Sequence, residues 1–273
     1  MVAIDTPAPR KRPITAHSLL KASAIAWFIP AAIGQWLFAY YVLAAYGPST
    51  ATGQWSEWDQ TGLMQGYTVG DLIGNLVFIS HVLLTAVITV GGTLQLVPPL
   101  RKRYPAVHRF TGRTFLIVAV ILAVGGIWMI WGRGSRLTDI GGWGTTLNAV
   151  LILVAAAIAV TFAVRRQIDR HRRWAMRLFI FVSGVWFTRL GYMAWAILTG
   201  GTGMSRSLDG PFDLFIAFGS YLVPWAVLEI YLAASDSRSD VFKLSTAGLT
   251  LAATAVTAIG VFGAWNVMWS PHI

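Results

Sequence analysis

Runs of apolar residues long enough to cross a hydrocarbon layer dominate this chain, and they leave little room for any other fold. A transmembrane helix needs about 20 consecutive, mostly apolar residues. A window of that length finds seven candidates, at roughly 23–46, 72–99, 110–132, 145–165, 175–200, 214–235 and 244–269. Gly47-Pro48, Pro98-Pro99 and Gly132-Arg133-Gly134 read as the ends of the first three. No run alternates apolar with polar residues, which excludes a β-barrel. Only 12% of the residues are charged and 56% are hydrophobic, with mean hydropathy +0.62. An ordinary soluble domain carries about 25% charge. The sequence therefore predicts an all-α fold, an integral membrane seven-helix bundle. A polar segment, 1–22, precedes a single transmembrane domain over 23–273. The basic residues before the first run resemble the n-region of a signal peptide, but the run continues to about Tyr46, beyond the 7–15 residues of an h-region. It reads as a retained helix.

The placement of Lys and Arg sets the expected orientation. With the N-terminus cytoplasmic, Arg10, Lys11, Arg12 and Lys21 lie inside, as do Arg101, Lys102, Arg103, Arg109 and Arg113 after the second run. Arg165, Arg166, Arg170, Arg172, Arg173 and Arg177 follow the fourth run on the same side, and Arg238 and Lys243 precede the seventh. Arg133, Arg136 and Arg206 fall outside, and Arg189 falls within a span. The C-terminus is then outside. The net charge of +10 is thus a topology signal, with the basic loops against anionic lipid headgroups. No nucleic-acid-binding motif accompanies it. Trp27, Trp131, Trp143, Trp174 and Trp269 lie near expected span ends, as an aromatic belt requires, whereas Trp186, Trp195 and Trp225 lie deeper. The outer loop 48–71, with Trp55, Glu57, Trp58 and Asp59, reads as a short amphipathic surface helix or as a lid or docking surface.

Ionisable side chains inside a bilayer cost about 2.5–3.5 kcal/mol or more, so each asks for a reason. His81 stands about nine residues into the second run, with Thr85, Ile88 and Gly92 following on one face, which suits a flat ring held by the imidazole or close helix–helix contact at the glycine. It reads as a hydrogen-bonded core histidine, a cofactor ligand or a proton-handling group. Arg189, with Tyr192 three residues on, lies near mid-membrane in the fifth run. Its guanidinium needs carbonyl or Tyr hydroxyl acceptors, or else an anion such as a carboxylate or haem propionate. Glu229, closer to the cytoplasmic surface, reads as the partner of an interfacial Arg.

Two similar elements open inside-to-outside spans. One is His108-Arg109-Phe110-Thr111-Gly112-Arg113, the other His171-Arg172-Arg173-Trp174-Ala175-Met176-Arg177. They suggest a parallel repeat of helices two–three and four–five. Two imidazoles at neighbouring helix starts could ligate one metal or haem iron, and Arg109, Arg113 and Arg177 would suit haem propionates or lipid phosphates. The alternative is interfacial anchoring by a basic, aromatic cluster.

The run from His81 through Gly92, Gln95, Leu96, Arg101, His108, Arg109, Gly112 and Arg113 to His171, Arg172, Trp174, Met176 and Arg177 resembles a known family. It is domain-of-unknown-function family 2306, of uncharacterised bacterial multi-pass membrane proteins, over roughly residues 72–195. The resemblance implies residence in the bacterial cytoplasmic (inner) membrane and offers no established activity. More loosely, the histidine pattern is similar to that of b-type transmembrane cytochromes. It departs from them in lacking a second axial pair, since only His81 stands in the outer half. One inner haem b between His108 and His171 fits what remains. Retinal is disfavoured, because Lys11, Lys21, Lys102 and Lys243 are all polar-flanked or at span ends.

The absence of Cys excludes disulfides, thiolate metal sites and covalently attached c-type haem. No hydrolytic triad, phosphate-binding glycine loop or paired-carboxylate site is visible, and Glu57, Asp59, Asp71, Asp139, Asp209 and Asp213 lack metal-ligand spacing. Three functions are expected in this order: a membrane redox protein with b-type haem near the cytoplasmic face, a non-catalytic subunit of a membrane-protein complex, and a small-molecule or ion transporter with an intramembrane polar cavity.

Overall fold

The computed structural model describes residues 15–61 and 66–273, without the side chains of 60 and 61. Arg10, Lys11 and Arg12, and most of the expected polar segment, lie outside the described residues. Those described form helices and turns, with no strand among them. Helix α1 (Ala16–Thr52) is opened by a reciprocal cap in which Thr15 Oγ1 accepts from Ser18 N and Ser18 Oγ accepts from Thr15 N. At 37 residues it spans about 55 Å, well beyond a hydrocarbon layer.

The expected end at Gly47-Pro48 is not there. Pro48 removes one helical donor, but the backbone carries on with Thr50 Oγ1 donating to Tyr46 O and Thr52 Oγ1 to Pro48 O. The stop comes at Gly53, whose φ of +77° only glycine adopts freely. After a 3-10 turn (Trp55–Thr61), α2 (Leu72–Gln95) starts on the Asp71 cap. The expected stop at Pro98-Pro99 is there, since α2 ends at Gln95 and Val97 is extended, and the proline pair then opens a short helix, α3 (Pro98–Arg103), because proline fits the donor-free first turn. Then follow α4 (Pro105–Trp131) and α5 (Asp139–Val164).

The fifth span differs most from expectation. It is two helices, α6 (Ile168–Val182) and α7 (Gly184–Thr199), bent by 56° at Ser183. Polar groups from distant helices occupy the break: Gln35 Nε2 donates to Ser183 Oγ at 2.9 Å, and Asn148 Nδ2 donates to Phe181 O at 3.0 Å. Backbone groups freed inside a membrane need such partners. Helices α8 (Pro211–Asp236) and α9 (Asp240–Ala264) follow, and α9 ends in a π-helical turn, Trp265–Trp269. Among the described residues six helices are long and apolar enough to cross a membrane, seven if the bent pair counts as one span.

Helix α1 packs between α9 and α2, α4 between α2 and α5, α5 against α6, and α7 against α9 and α8. Leu20 meets Ala234 and Ala247 at one end of the bundle, and Phe38 and Tyr41 meet Trp269 at the other, so α1 and α9 run parallel. Arg101, Lys102, Arg103, Arg109, Arg165, Arg166 and Arg238 share one end, the basic face, and the described parts of the connection from α1 to α2, 53–61 and 66–71, lie at the opposite face. Ile25, Ile29, Ile33, Trp36, Tyr40 and Leu43 leave one side of α1 exposed and apolar, as lipid contact requires.

Several tryptophans depart from expectation. Trp131 and Trp143 pair at the opposite face as belt residues, but Trp269 is 1% exposed, because the π-helical turn folds it inward onto Phe38. Trp195 is not deep; it stacks on Phe212 near the end of α7 and donates to Thr202 O. Nor is the 48–71 segment a helix lying on the surface. Its 3-10 turn drives Trp58, 2% exposed, into rings from Trp55, Tyr67 and Phe78, and Trp58 Nε1 donates to Thr50 Oγ1.

Candidate intramembrane polar site

Two of the expected intramembrane groups converge. His81 lies about 14 Å along α2 from Leu72, and Arg189 about 15 Å along α7 from Thr199, so they share one depth below the opposite face. Arg189 lies within electrostatic reach of His81 and of Tyr41 and Tyr46 of α1, whose rings meet edge to face at 6.3 Å. The Arg189 guanidinium sits over the Phe38 ring at 5.2 Å, and Nη1 donates to Val185 O, one turn back on its own helix, at 3.0 Å. No carboxylate of a described residue pairs with it.

The energetics leave a deficit. Removing an ion from water costs several kcal/mol even after relaxation. One charge-assisted hydrogen bond returns about 1.5–3 kcal/mol and a desolvated cation–π contact about 2 kcal/mol. His81 adds a second unmet need, since its Nδ1 is buried without a hydrogen-bond partner. Neither residue is fully buried.

The glycine beside the imidazole is not Gly92. A Cβ at Gly92 would meet Phe115 Cε2 at 2.9 Å and Phe179 Cδ2 at 3.2 Å, so phenyl rings already fill the space the sequence offered to a flat ligand. His81 instead rests on the Gly125-Gly126 pair of α4, 3.5 Å from where a Gly126 Cβ would stand. Tyr192 does not join Arg189 either. It lies beside the Asp213 carboxylate, its ring 5.7 Å from Phe212.

At the basic face, Glu229 takes the interfacial Arg expected of it. Arg177 donates from Nε and Nη2 at 2.6 and 2.7 Å, Trp225 Nε1 adds a third donor at 2.8 Å, and Arg177 stacks over Trp174. That fork engages the guanidinium edge which the sequence reading offered to a propionate. His171 Nδ1 meets Ala159 O at 2.9 Å, and the carbonyl requires a proton on that nitrogen. His108 opens α4 within electrostatic reach of His171 and Arg101, and its Nδ1 is buried and unpartnered. Arg109 and Arg113 are exposed. Among the described residues no cluster of three or more His, Cys, Asp or Glu could hold a metal ion.

Sequence reasoning missed one polar knot. Arg133, with a side chain 7% exposed, donates to Asp71 Oδ2 at 2.9 Å, Asn75 Oδ1 at 2.8 Å, Thr68 Oγ1 and Gly66 O. Its partners lie 58 to 67 residues earlier, and no local pattern announces them.

Compared with known proteins, residues 78–209 match the family described as Predicted membrane protein (DUF2306). No curated protein and no solved structure matches the chain. The match takes in His81, both histidine–arginine helix starts and Arg189, and leaves α1, α8 and α9 outside. Over residues 78–209 this chain is therefore similar to the DUF2306 family of predicted membrane proteins.

Proposed function

We propose that this multi-pass membrane protein binds a small anion inside its helical bundle and serves as a transporter for it, with Arg189 as the charge partner and His81 as a second polar contact. One observation carries the reading: a mid-bundle guanidinium with no described carboxylate partner stands beside an imidazole whose buried Nδ1 is unpaired. The break at Ser183 supports it, since discontinuous helices build the binding sites of many transporters and this one carries Arg189 on its second half. The reading places the basic face in the cytoplasm, with Arg101, Lys102, Arg103, Arg109 and Arg113 at anionic headgroups of a bacterial inner membrane. In proteoliposomes, wild type is expected to take up small anions, and Arg189→Gln to lose about 100-fold or more in affinity. Wild-type vesicles with neither anion flux nor anion binding would remove the reading.

His108 and His171 support a second reading, b-type haem at the basic face. His171, oriented by the Ala159 carbonyl, keeps Nε2 as a lone-pair donor, as a haem-binding histidine does, and His108 brings an unpaired buried nitrogen. A haem held by the two would supply one-electron transfer. Purified protein expressed with haem available is then expected to show a Soret band that His171→Ala removes; a colourless wild type rules this reading out.

A further inference from the structure

Charge on the basic face is balanced on one side of the bundle and unbalanced on the other. Around α6, α8 and α9, carboxylates stand opposite cations: Arg173 with Asp236, Arg177 with Glu229 and Lys243 with Asp240. The corner formed by α3 and the start of α4 has no such partner. No Asp or Glu occurs between Asp71 and Asp139, yet Arg101, Lys102, Arg103, Arg109 and Arg113 all fall in that stretch. None of the five forms an ion pair with a described residue. Arg101 of α3 comes within electrostatic reach of His108 of α4, so the two groups of cations share one corner.

Arg113 adds a second observation. It stands about 12 Å into α4, which is about 40 Å long, and it is exposed. Phe110, one turn before it, is 71% exposed, and Ile117, one turn after it, is 60% exposed. Ile121 and Val124 continue the same exposed strip, which is the side of α4 that faces lipid. An arginine on that strip lays its stem along apolar side chains and carries its guanidinium to headgroup depth. The acceptor within reach there is a lipid phosphate. Arg109, four residues earlier and also exposed, brings a second guanidinium to the same side.

We infer that the α3–α4 corner is a selective site for an anionic phospholipid, with its phosphodiester at Arg109 and Arg113 and an acyl chain along Phe110, Ile117 and Ile121. Placing the basic face in the cytoplasm implies contact with headgroups of any kind; the selectivity comes from the missing carboxylates. A headgroup that carries an ammonium brings one more cation into a cluster with no anion to receive it. A headgroup with a net negative charge supplies the anion instead. The inference is independent of what Arg189 binds.

Titration of the detergent-solubilised full chain with phosphatidylglycerol or with phosphatidylcholine of the same acyl chains, read by native mass spectrometry, tests it. Phosphatidylglycerol is expected to bind at least about tenfold more tightly, and glycerol phosphate, which lacks the acyl chains, not to displace it. This comparison uses wild type alone, so it stands whether or not a variant folds. The double substitution Arg109→Gln and Arg113→Gln is expected to reduce phosphatidylglycerol to the affinity of phosphatidylcholine. Arg238→Gln is expected to change it by less than about twofold, because Arg238 is exposed on the same face between Asp236 and Asp240. Equal binding of the two lipids overturns the inference, and so does an equal loss from Arg238→Gln, which would make the whole face one diffuse charge. Displacement by glycerol phosphate at matching concentration would assign the corner to a soluble phosphate and overturn the lipid assignment.

Discussion

Arg189→Met is expected to leave the protein more stable than wild type while abolishing anion binding. Methionine fills a volume close to that of the arginine stem, keeps contact with Phe38 and removes the charge. Replacing a buried ion by an apolar side chain of similar volume is often neutral or stabilising by about 1–4 kcal/mol. Here the lower part of that range applies, because Arg189 is not fully buried, although it has one hydrogen bond and no carboxylate to lose. Denaturation of the detergent-solubilised variant, followed by helical signal, reads the stability, and ligand titration reads the function. A residue kept for structure would show the reverse, with lower stability. Strain retained at a binding site at the expense of stability is the general pattern of functional positions.

The second large effect belongs to the opposite face. Asp71→Ala is expected to destabilise the protein by about 3 kcal/mol. It removes the carboxylate that caps α2 at Gly74 N, worth about 1 kcal/mol, and leaves Arg133 buried beside Asn75 without a counter-ion. Breaking a buried pair costs about 3–5 kcal/mol, reduced here because the Asp71 side chain is 34% exposed. The pair Arg136–Asp139 is a built-in control: Asp139 is 74% exposed, and Asp139→Ala is expected to cost about 0.5 kcal/mol or less. Equal losses from the two substitutions would show that the Arg133 knot does not hold the loop as described.

Much of this architecture is legible in the sequence, and the reason is physical. A span must be apolar along its whole length, so the helices announce themselves by hydropathy, and a charge inside one stands out. His81, Arg189 and Glu229 were found that way, and Glu229 met an interfacial Arg as expected. What local sequence did not carry was the identity of long-range partners. The bend at Ser183 depends on Gln35 and Asn148, from helices far away in the chain, and the stretch around it is as apolar as an unbroken span. Gly92 looked like space for a ligand because its occupants, Phe115 and Phe179, come from two other helices. Trp58 and Trp269 looked interfacial by position, and it took a 3-10 turn and a π-helical turn to bury them. Proline misled at Pro48 and not at Pro98, since a Pro inside a long helix and a Pro at a helix boundary look alike without the neighbouring hydrogen bonds.

The central claim is that Arg189 holds an anion in the membrane, and titration of wild type and Arg189→Met side by side with small anions in nanodiscs tests it most directly. Saturable binding at one site in wild type, absent from a variant that is folded and at least as stable, is the predicted result. Equal binding by the two proteins, or none by wild type, would contradict it.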